Sequence, residues 1–579
     1  MRPSKHPARS IPSGLFLFVA STILVTLLVI GLPAPEGTAQ EAAPSSTATP
    51  IPTSTSTPTA TPEMTPVPLA PCETGWRIVP APSVGAFRDV AAIAQDDVWV
   101  VGDSGAIHWD GASWSHVATA GVTNLSSISA VASDDVWATN GSAVIHWDGS
   151  TWSLDYDTPV KPENGSYSDL AAISADDVWL VGTYWPSSDY RLSGFSTHWN
   201  RHEWTVPSSI GSGTRGSMMI AVAGIPGGPV WATGHWLGPL LLNWTGDYWG
   251  MTYALDYGAQ LLTEIEVFAP NDVWAVGTTT GNTSGIVHYD GSQWSLASSP
   301  DVGMLNSVSA AAPDDVWAVG EHGTLRWNGS EWTQVPAPRT VLTAVDALGS
   351  ADVWAVGADV VLHYSSEPFW DVSQSNPFYS FVRCLACQEI VSGYSDGSFR
   401  PNERITRGQA AKIIANAANY SDEIPSDRQT FADVPPDSPF WLYIERVYAH
   451  EAIGGYPCGA EGELCPGIYY RPGAYLTRGQ LAKIATNVAG YEDAPSGQTF
   501  NDVPPGSPFY TYIERAAAHD VISGYACGGT NPDTSEAEPC PGAYFRPASN
   551  VTRGQTAKIV ANSLLPGCDV PTPTKTPRK

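Results

Sequence analysis

The stretch DDVWAVGEHGTLRWNGSEW, residues 314–332, is one copy of a pattern that occurs seven times between residues 76 and 365. A copy holds Asp-Val-Trp, a short apolar run ending in Trp or Tyr, usually Asp-Gly or Asn-Gly, and then another Trp. Adjacent Asp-Gly or Asn-Gly favours a tight hairpin, because a type I′ turn needs positive φ at both central residues. Each copy therefore predicts four short antiparallel strands. The Trp of the phrase stands at positions 99, 137, 179, 231, 274, 317 and 354, with Pro-Val-Trp replacing Asp-Val-Trp at 231.

Seven such sheets predict a β-propeller, since one small sheet cannot cover both of its own faces. The last copy stops at Tyr364 without its final Trp strand, and residues 76–82, ahead of the first copy, mirror residues 332–338. We therefore expect an N-terminal strand to complete the seventh blade and close the ring over residues 72–366. The repeats resemble bacterial surface propellers with Asp-Asp-Val-Trp and Trp-Asp-Gly phrases. That resemblance implies the fold and says little about function.

The chain is acidic and carries a sequence typical of export. Its 579 residues include 28 Lys and Arg against 57 Asp and Glu, a formal charge of -29, which argues against nucleic-acid binding. Basic residues ahead of an apolar stretch predict that residues 1–39 are a cleaved signal peptide or a single N-terminal membrane span. Residues 40–71, rich in Pro, Thr and Ser, predict an extended linker, and residues 567–579 predict a disordered tail.

Recurrent Asp and His residues of the propeller are the first candidates for chemistry. An Asp that repeats before a strand is usually a turn residue accepting backbone N–H bonds, and a His within apolar strands is usually a core or blade-packing residue. Sialidase Asp-boxes have one residue between Asp and Gly, whereas here the two are adjacent. We therefore predict no catalytic residue, no metal and no cofactor. The recurrent residues are Asp97, Asp135, Asp177, Asp272, Asp315 and Asp352, and His108, His146, His198, His288 and His363.

Two Trp residues of the propeller fall outside the repeat positions and indicate a candidate ligand-binding face. They lie in lengthened hairpins after the Val-Trp of the third and fourth copies. Exposed aromatic rings beside an Arg would suit sugar stacking or a protein partner. The alternative is that these loops pack on each other. The candidate residues are Tyr184, Trp185, Tyr190, Arg191, His235 and Trp236.

A second repeat follows the propeller. Asp-Val at 371, 433 and 502, Pro-Phe at 377, 439 and 508, and Gly-Tyr at 393, 455 and 524 recur at offsets of 62 and 69 residues. The residues between Pro-Phe and Gly-Tyr follow a helical pattern. Each copy ends with Thr-Arg-Gly-Gln, whose Thr and Gln have the spacing of a capping box that opens a second helix. The sequence predicts three modules, residues 367–421, 430–492 and 499–566.

These motifs resemble those of the S-layer homology domain, in which Gly-Tyr-x-Asp-Gly-x-Phe-x-Pro precedes a final Ile-Thr-Arg-Ala-Glu. The resemblance implies a mainly α-helical, pseudo-threefold trimodule that binds pyruvylated cell-wall polysaccharide. Gly-Gln replaces Ala-Glu in all three copies, which removes a carboxylate and leaves the identity of the polymer open. The predicted fold class is therefore multidomain, an all-β seven-bladed propeller followed by this trimodule.

An Arg in the first turn of each second helix predicts an anion site. Free N–H groups and the helix dipole favour an anion there, and a guanidinium can bind a carboxylate through two hydrogen bonds. The alternative is that each Arg pairs with a neighbouring acid such as Glu403 or Asp396. The candidate polysaccharide-binding residues are Arg407, Arg478 and Arg553, with Tyr394, Tyr456 and Tyr525 of the Gly-Tyr motifs. A second set, Arg400, Arg471 and Arg546, is expected to play a supporting role.

Eight cysteines in an exported chain predict local disulfides. Loops at matching places of the second and third modules are each flanked by two cysteines, which predicts Cys458–Cys465 and Cys527–Cys540. The sequence leaves open the pairing of Cys72, Cys384, Cys387 and Cys568, although a CxxC in a predicted helix lacks the setting of a redox domain.

These features predict an extracellular protein of the bacterial cell surface, cell wall or S-layer, held non-covalently on envelope polysaccharide. Its propeller would be displayed for an unknown ligand or protein. The rival interpretation is a surface-anchored carbohydrate-active enzyme, a glycan hydrolase or lyase with its site on the propeller face. The sequence holds no nucleophile elbow, metal-ligand cluster or isolated acid pair, so the binding interpretation is favoured.

Overall fold

The computed structural model describes residues 72–154, 161–186, 192–206, 217–495, 497–531, 533–565 and 568. The predicted leader, the predicted linker and, apart from Cys568, the predicted tail lie outside these residues. Within the described ranges, no helix combines the length and apolar character needed to cross a bilayer.

The seven-bladed propeller is confirmed. Seven four-stranded antiparallel sheets follow one another between residues 75 and 365. In the first six blades the four strands are consecutive in the chain: β2 (Phe87–Ala94), β3 (Asp97–Gly102), β4 (Gly105–Trp109), β5 (Trp114–Val117); β6 (Ser127–Ala132), β7 (Asp135–Thr139), β8 (Val144–Trp147), β9 (Trp152–Leu154); β10 (Gly165–Ser174), β11 (Asp177–Tyr184), β12 (Ser193–Trp199), β13 (Trp204–Thr205); β14 (Met218–Gly224), β15 (Val230–His235), β16 (Pro239–Trp244), β17 (Trp249–Tyr253); β18 (Ala259–Ala269), β19 (Asp272–Thr279), β20 (Ser284–Tyr289), β21 (Trp294–Leu296); β22 (Leu305–Ala312), β23 (Asp315–Gly320), β24 (Thr324–Trp327), β25 (Trp332–Val335).

The seventh blade closes the ring in the predicted way. It combines β26 (Leu342–Gly349), β27 (Asp352–Gly357) and β28 (Val360–Ser365) with the N-terminal strand β1 (Gly75–Ile78). Strand β1 pairs antiparallel with β28, placing Trp76 opposite Tyr364. The Trp76 indole also donates to the Thr324 hydroxyl of the sixth blade at 3.1 Å. Both ends of the propeller chain are therefore joined in one sheet.

Aromatic clusters fill the gaps between neighbouring blades. Trp99 of the first blade meets Trp152 of the second edge to face, with ring centroids 5.4 Å apart. Trp274 and Trp332 repeat this contact between the fifth and sixth blades at 5.3 Å. Such a pair contributes about 0.5–1.5 kcal/mol beyond the burial of its apolar area. The Trp residues that repeat in the sequence are thus the residues whose contacts hold neighbouring blades together.

The recurrent Asp residues have a different role from the predicted one. We expected them to accept backbone N–H bonds, whereas five of them hold the recurrent His of the same blade. His108 Nε2 lies 2.7 Å from Asp97 Oδ1, and the His108 ring packs on Trp99. In the sixth blade Arg326 replaces His and its Nε lies 2.7 Å from Asp315. The predicted packing role of the His residues is confirmed. Among the described residues, no group of three His, Cys, Asp or Glu side chains is arranged to hold a metal ion.

The innermost strands are linked around the axis by polar side chains. The Ile128 N–H of the second blade donates to Asp89 of the first at 2.8 Å, and Asp346 of the seventh accepts from the first blade. Each inner strand is the edge of its own sheet, so these side chains satisfy N–H groups that would otherwise lack a partner. Burial raises the pKa of Asp89 to about 7 and that of Glu266 to about 8.

Among the described residues of the three C-terminal modules, the structure has six helices and two short hairpins. The helices are α1 (Tyr379–Cys387), α2 (Arg407–Ala417), α3 (Trp441–Ala449), α4 (Arg478–Val488), α5 (Tyr510–Ala518) and α6 (Arg553–Leu564). The hairpins are β29 (Tyr456–Pro457) with β30 (Ile468–Tyr469), and β31 (Tyr525–Ala526) with β32 (Ala543–Tyr544). The predicted capping boxes are present at α2, α4 and α6.

A closed triangle of backbone hydrogen bonds lies at the centre of the three modules. The Ile405 N–H donates to Val551, the Val551 N–H donates to Leu476, and the Leu476 N–H donates to Ile405, at 2.9–3.1 Å. All three side chains are fully buried. The predicted pseudo-threefold arrangement is therefore confirmed, and no module is complete without the other two.

Both predicted loop disulfides, Cys458–Cys465 and Cys527–Cys540, are present. The four cysteines whose pairing the sequence left open form Cys72–Cys387 and Cys384–Cys568. The first of these joins the segment ahead of β1 to helix α1 of the first module. Trp370 of that module also packs on Trp109 of the first blade, with ring centroids 6.0 Å apart. The propeller and the trimodule are therefore joined covalently and by packing.

Candidate functional site

Three equivalent clefts lie between the modules. In each cleft the first residue of α2, α4 or α6 meets the Tyr of the next module's Gly-Tyr motif, and the third module closes back on the first. The pairs are Arg407 with Tyr456, Arg478 with Tyr525, and Arg553 with Tyr394, each guanidinium 4.8–4.9 Å from the ring centroid. The structure thus brings the six predicted residues together in three pairs, each built from two modules.

The three guanidiniums are buried but not neutralised. Arg407, Arg478 and Arg553 are 6%, 7% and 5% exposed. Each donates its Nε to a backbone carbonyl of the next module at 2.7–2.8 Å. None of them lies within ion-pair distance of a described acid, although Glu403 acts on the charge of Arg553 and Asp502 on that of Arg478 from further away. Burial lowers the pKa of Arg478 and of Arg553. A buried cation without an acid partner favours the arrival of an anion.

The prediction that the N–H groups at these helix starts are free is wrong. The first two N–H groups of each helix donate to carbonyls of the next module, and the third donates to the capping Thr. In α2 these bonds run from Arg407 to Ala474, from Gly408 to Pro472 and from Gln409 to Thr406. The same pattern is present at α4 and α6. The positive charge of the cleft therefore comes from side chains and not from open helix amides.

The cleft Tyr lies between two guanidiniums. Its second face is covered by an Arg of its own module, as in Arg546 over Tyr525 at 4.0 Å. This second Arg is ion-paired, for example with Glu538 at 2.7 Å. Equivalent pairs join Arg400 to Asp396 and Arg471 to Glu463. Because an acid already neutralises each of these arginines, they support the Tyr, and the first-turn Arg remains the uncompensated charge.

The Gly-Gln that replaces Ala-Glu has a local explanation. An added Cβ at Gly479 would lie 2.6 Å from Phe509 Cδ2, because the Phe of the next module's Pro-Phe motif packs directly on the helix start. Gly408 and Gly554 meet Phe440 and Phe378 in the same way. The Gln side chain completes the capping box and also donates to the cleft Tyr, as Gln480 Nε2 does to Tyr456 at 2.8 Å.

One set of cleft residues was missed from the sequence. The cavity beside Arg553 and Tyr394, about 170 Å³ in volume, is also lined by Gln409 and Lys412. Lys483 and Lys558 occupy the equivalent helix positions of the other modules, three residues after the Gln. The signal was present as Gln-x-Ala-Lys in all three copies. The cleft of Arg553 thus combines a buried guanidinium, an ammonium group and an aromatic ring, and the repeat places a Lys at the same helix position in the other two modules.

The candidate face of the propeller lies on the side opposite the trimodule. Trp370 packs beside the Asp-Gly turn that follows β4, whereas the hairpins holding Trp185 and Trp236 connect strands at their other ends. Trp185 is 52% exposed. Trp236 packs against Tyr253, with centroids 6.1 Å apart, and burial lowers the pKa of His235.

The other candidates of this face divide into two groups. Tyr184 packs against Phe195 within the third blade, and Tyr190 and Arg191 lie outside the described residues. Sequence reasoning missed Leu237, which is 84% exposed and adopts a positive φ of 55°. The left-handed conformation costs a residue with a side chain such as Leu roughly 1–2 kcal/mol. Backbone strain of this kind often clusters at ligand-binding sites.

Comparison with known proteins identifies the C-terminal modules. Residues 368–411, 430–482 and 499–557 match the model of the S-layer homology domain. The chain is 28% identical over 149 residues to a surface-layer 125 kDa protein of Lysinibacillus sphaericus, covering 26% of this chain and 12% of that protein. It is 25% identical over 184 residues to a cellulosome-anchoring protein of Acetivibrio thermocellus, covering 31% and 36%.

An endoglucanase of Bacillus sp. is 26% identical over 204 residues, covering 34% of this chain and 19% of the endoglucanase. The chain therefore spans less than two-fifths of the length of each of these relatives.

Proposed function

Because three S-layer homology domains make up the C-terminal third of the chain, we propose that the protein is held non-covalently on the bacterial cell envelope through its three intermodular clefts. The ligand we propose is an anionic cell-wall polysaccharide whose sugars carry carboxylate groups, such as pyruvylated residues. The single observation that supports this ligand class is the set of three buried guanidiniums without an acid partner. A charge-assisted hydrogen bond to such a group contributes about 1.5–3 kcal/mol.

The cleft also favours a sugar over a free anion. The apolar side chains that line the cleft offer a surface for a pyranose ring, while the Arg and Lys groups offer donors to its carboxylate. In the cleft of Arg553 this apolar lining includes Ile413 and Phe440. A polymer with a carboxylate on successive repeats would bind two or three clefts together, and multivalency would raise its overall affinity.

Co-sedimentation of the full protein with purified cell walls tests this proposal. Removal of one charge from each cleft should lower the affinity at least tenfold, by the energy given above. Two cleft variants are needed. The buried Arg bridges two modules, so its loss also weakens folding, whereas the cleft Lys is partly exposed and its replacement should leave the fold intact. The variants are a triple Arg→Gln at Arg407, Arg478 and Arg553, and a triple Lys→Gln at Lys412, Lys483 and Lys558.

The matched control removes the same number of charges from the propeller, by Arg→Gln at Arg88, Arg201 and Arg339. We expect the control to sediment like the wild type, while both cleft variants stay in solution. Sedimentation of the folded Lys→Gln variant at wild-type affinity would contradict binding in the proposed clefts. Equal losses of affinity in all three variants would show that binding depends only on the net charge of the protein.

We further propose that the propeller face opposite the trimodule binds a partner through exposed apolar groups. Trp185 and Leu237, on neighbouring blades, support this assignment. Leu237→Gly removes the side chain and relieves the positive φ, so the variant should fold at least as well as the wild type. A photo-crosslinker at position 237 should capture an envelope component, and capture should fall when Trp185 is changed to Ala. Leu296→Ala, at a 47% exposed position of β21, is the control that should leave capture unchanged.

A further inference from the structure

Two disulfides meet on one turn of helix α1. Cys387 is bonded to Cys72, ahead of the propeller, and Cys384 is bonded to Cys568, after the last helix. Residues three apart lie on the same face of a helix, so both ends of the described chain are joined to one short surface. The covalent route from Cys72 to Cys568 therefore runs through two disulfides and residues 384–387. It bypasses every blade and almost all of the trimodule.

The helix that receives both disulfides is fixed in the core of the trimodule. Val382 and Leu385 are fully buried, and Cys568 is 1% exposed. The Tyr379 hydroxyl donates to Glu367 at 2.7 Å and so ties the start of α1 to the segment leaving the propeller. A force that reaches this helix is thus distributed into a packed core and not into a surface loop.

Without the first disulfide, the propeller would be the weakest link between the N-terminal segment and the modules. The element nearest to Cys72 is β1, only four residues long, which closes the ring by pairing with β28. Its pairing begins at Gly75 opposite Ser365, the end nearest to Cys72. A pull on the N-terminal segment would break these hydrogen bonds one after another from that end and open the ring.

We propose that these two disulfides form a clasp that makes the protein a tension-bearing tether, in which the propeller is a side branch and not a link. Tension between the N-terminal segment and the modules passes through Cys72–Cys387 into α1. The ring is thereby kept folded and displayed whatever force acts on the attachment. The use of this clasp in the cell rests on the proposed anchoring function, whereas the bypass itself does not.

The clasp has a measurable length. The first disulfide closes a loop of 315 residues and the second a loop of 184 residues. At about 3.5 Å per extended residue, opening the first releases about 1,100 Å of chain and opening the second releases about 650 Å.

Single-molecule stretching of the full, oxidised protein tests the clasp, with handles attached ahead of residue 72 and after residue 568. The wild type should show neither release, whereas Cys72→Ser with Cys387→Ser should show the longer one and Cys384→Ser with Cys568→Ser the shorter one. Removal of the Cys458–Cys465 loop disulfide, with a sequence separation of 7, is the matched control and should add no release of this size.

The wild type alone decides the matter if a variant fails to fold, because reductant added to the stretched wild type should produce both releases. A release near 1,100 Å from the oxidised wild type would overturn the proposal. So would peptide mapping without reduction that joins Cys72 directly to Cys568, since α1 would then carry no tension. Cell walls play no part in this assay, so a failure of the anchoring proposal would leave its outcome unchanged.

Discussion

The replacement Gly479→Ala restores the residue that the S-layer homology motif usually has, yet we expect it to destabilise this protein. The added Cβ would lie 2.6 Å from Phe509 Cδ2 and 3.0 Å from the Pro547 carbonyl oxygen, so the aromatic ring must move. Overpacking of this kind costs about 1–3 kcal/mol, and the better helix propensity of Ala offsets up to about 1 kcal/mol of that cost. The expected net loss is about 1–2 kcal/mol, or a roughly 5- to 30-fold change in the opening equilibrium.

Hydrogen–deuterium exchange of the α4 amides measures this loss directly, because it reports the free energy of local opening in one region of a multidomain protein. Exchange in α4 should accelerate by roughly that factor in Gly479→Ala. Gly473→Ala is the matched control in the same module, because no atom lies within 4 Å of its added Cβ and the position is exposed. Unchanged or slower exchange in Gly479→Ala would refute the packing explanation for the Gly.

Two further predictions concern the propeller. Glu266 has its pKa raised from 4.5 to about 8 by burial and by Asp346, so the folded form holds a proton that the unfolded chain releases; this stabilisation is complete below pH 4.5 and is lost as the pH rises towards 8. At pH 8, Glu266→Gln should therefore be more stable to urea than the wild type by about 1–2 kcal/mol, a modest value because the half-buried group keeps some contact with water. At pH 5 the variant and the wild type should have similar urea midpoints. Equal midpoints at both pH values would contradict this. Trp76→Ala removes the 5% exposed ring that closes the seventh blade and should cost about 3–5 kcal/mol, whereas Ala at the 52% exposed Trp185 should change the urea midpoint little; similar losses at the two sites would count against the closure.

The sequence was sufficient for the architecture because the decisive contacts repeat with it. Every blade brings its own Val-Trp and its own hairpin turn, and the strand missing after Tyr364 is found again at Trp76. A contact that recurs at a fixed spacing is visible without knowing the fold. The same holds for the capping boxes of α2, α4 and α6, which use residues three positions apart.

Contacts that do not recur at a fixed spacing could not be predicted from the sequence. The residue at the linking position of each inner strand varies among Asp, Glu, Ser and Ala, and the Asp and Ser side chains accept N–H bonds from the next blade, so the linkage around the axis left no periodic signal. The pairing of Cys72 with Cys387 spans 315 residues and depends on how the trimodule folds back on the propeller.

The site was predicted in composition but not in geometry. Arg407 and Tyr456 were both named, yet their assignment to one cleft follows from the closed triangle of Ile405, Leu476 and Val551, which sets each module against the next. The helix-start N–H groups were expected to be open because their acceptors, carbonyls of the neighbouring module, lie far away in the sequence.

The central claim is that the clefts recognise the negative charge of a wall polymer. The most direct test keeps the protein unchanged and alters the polymer, by converting the carboxylates of purified cell-wall polysaccharide to neutral amides and comparing equilibrium binding of the full protein. We predict that binding falls at least tenfold on amidation, because each cleft loses a charge-assisted contact of about 1.5–3 kcal/mol. Equal affinity for the native and the amidated polymer would contradict the account.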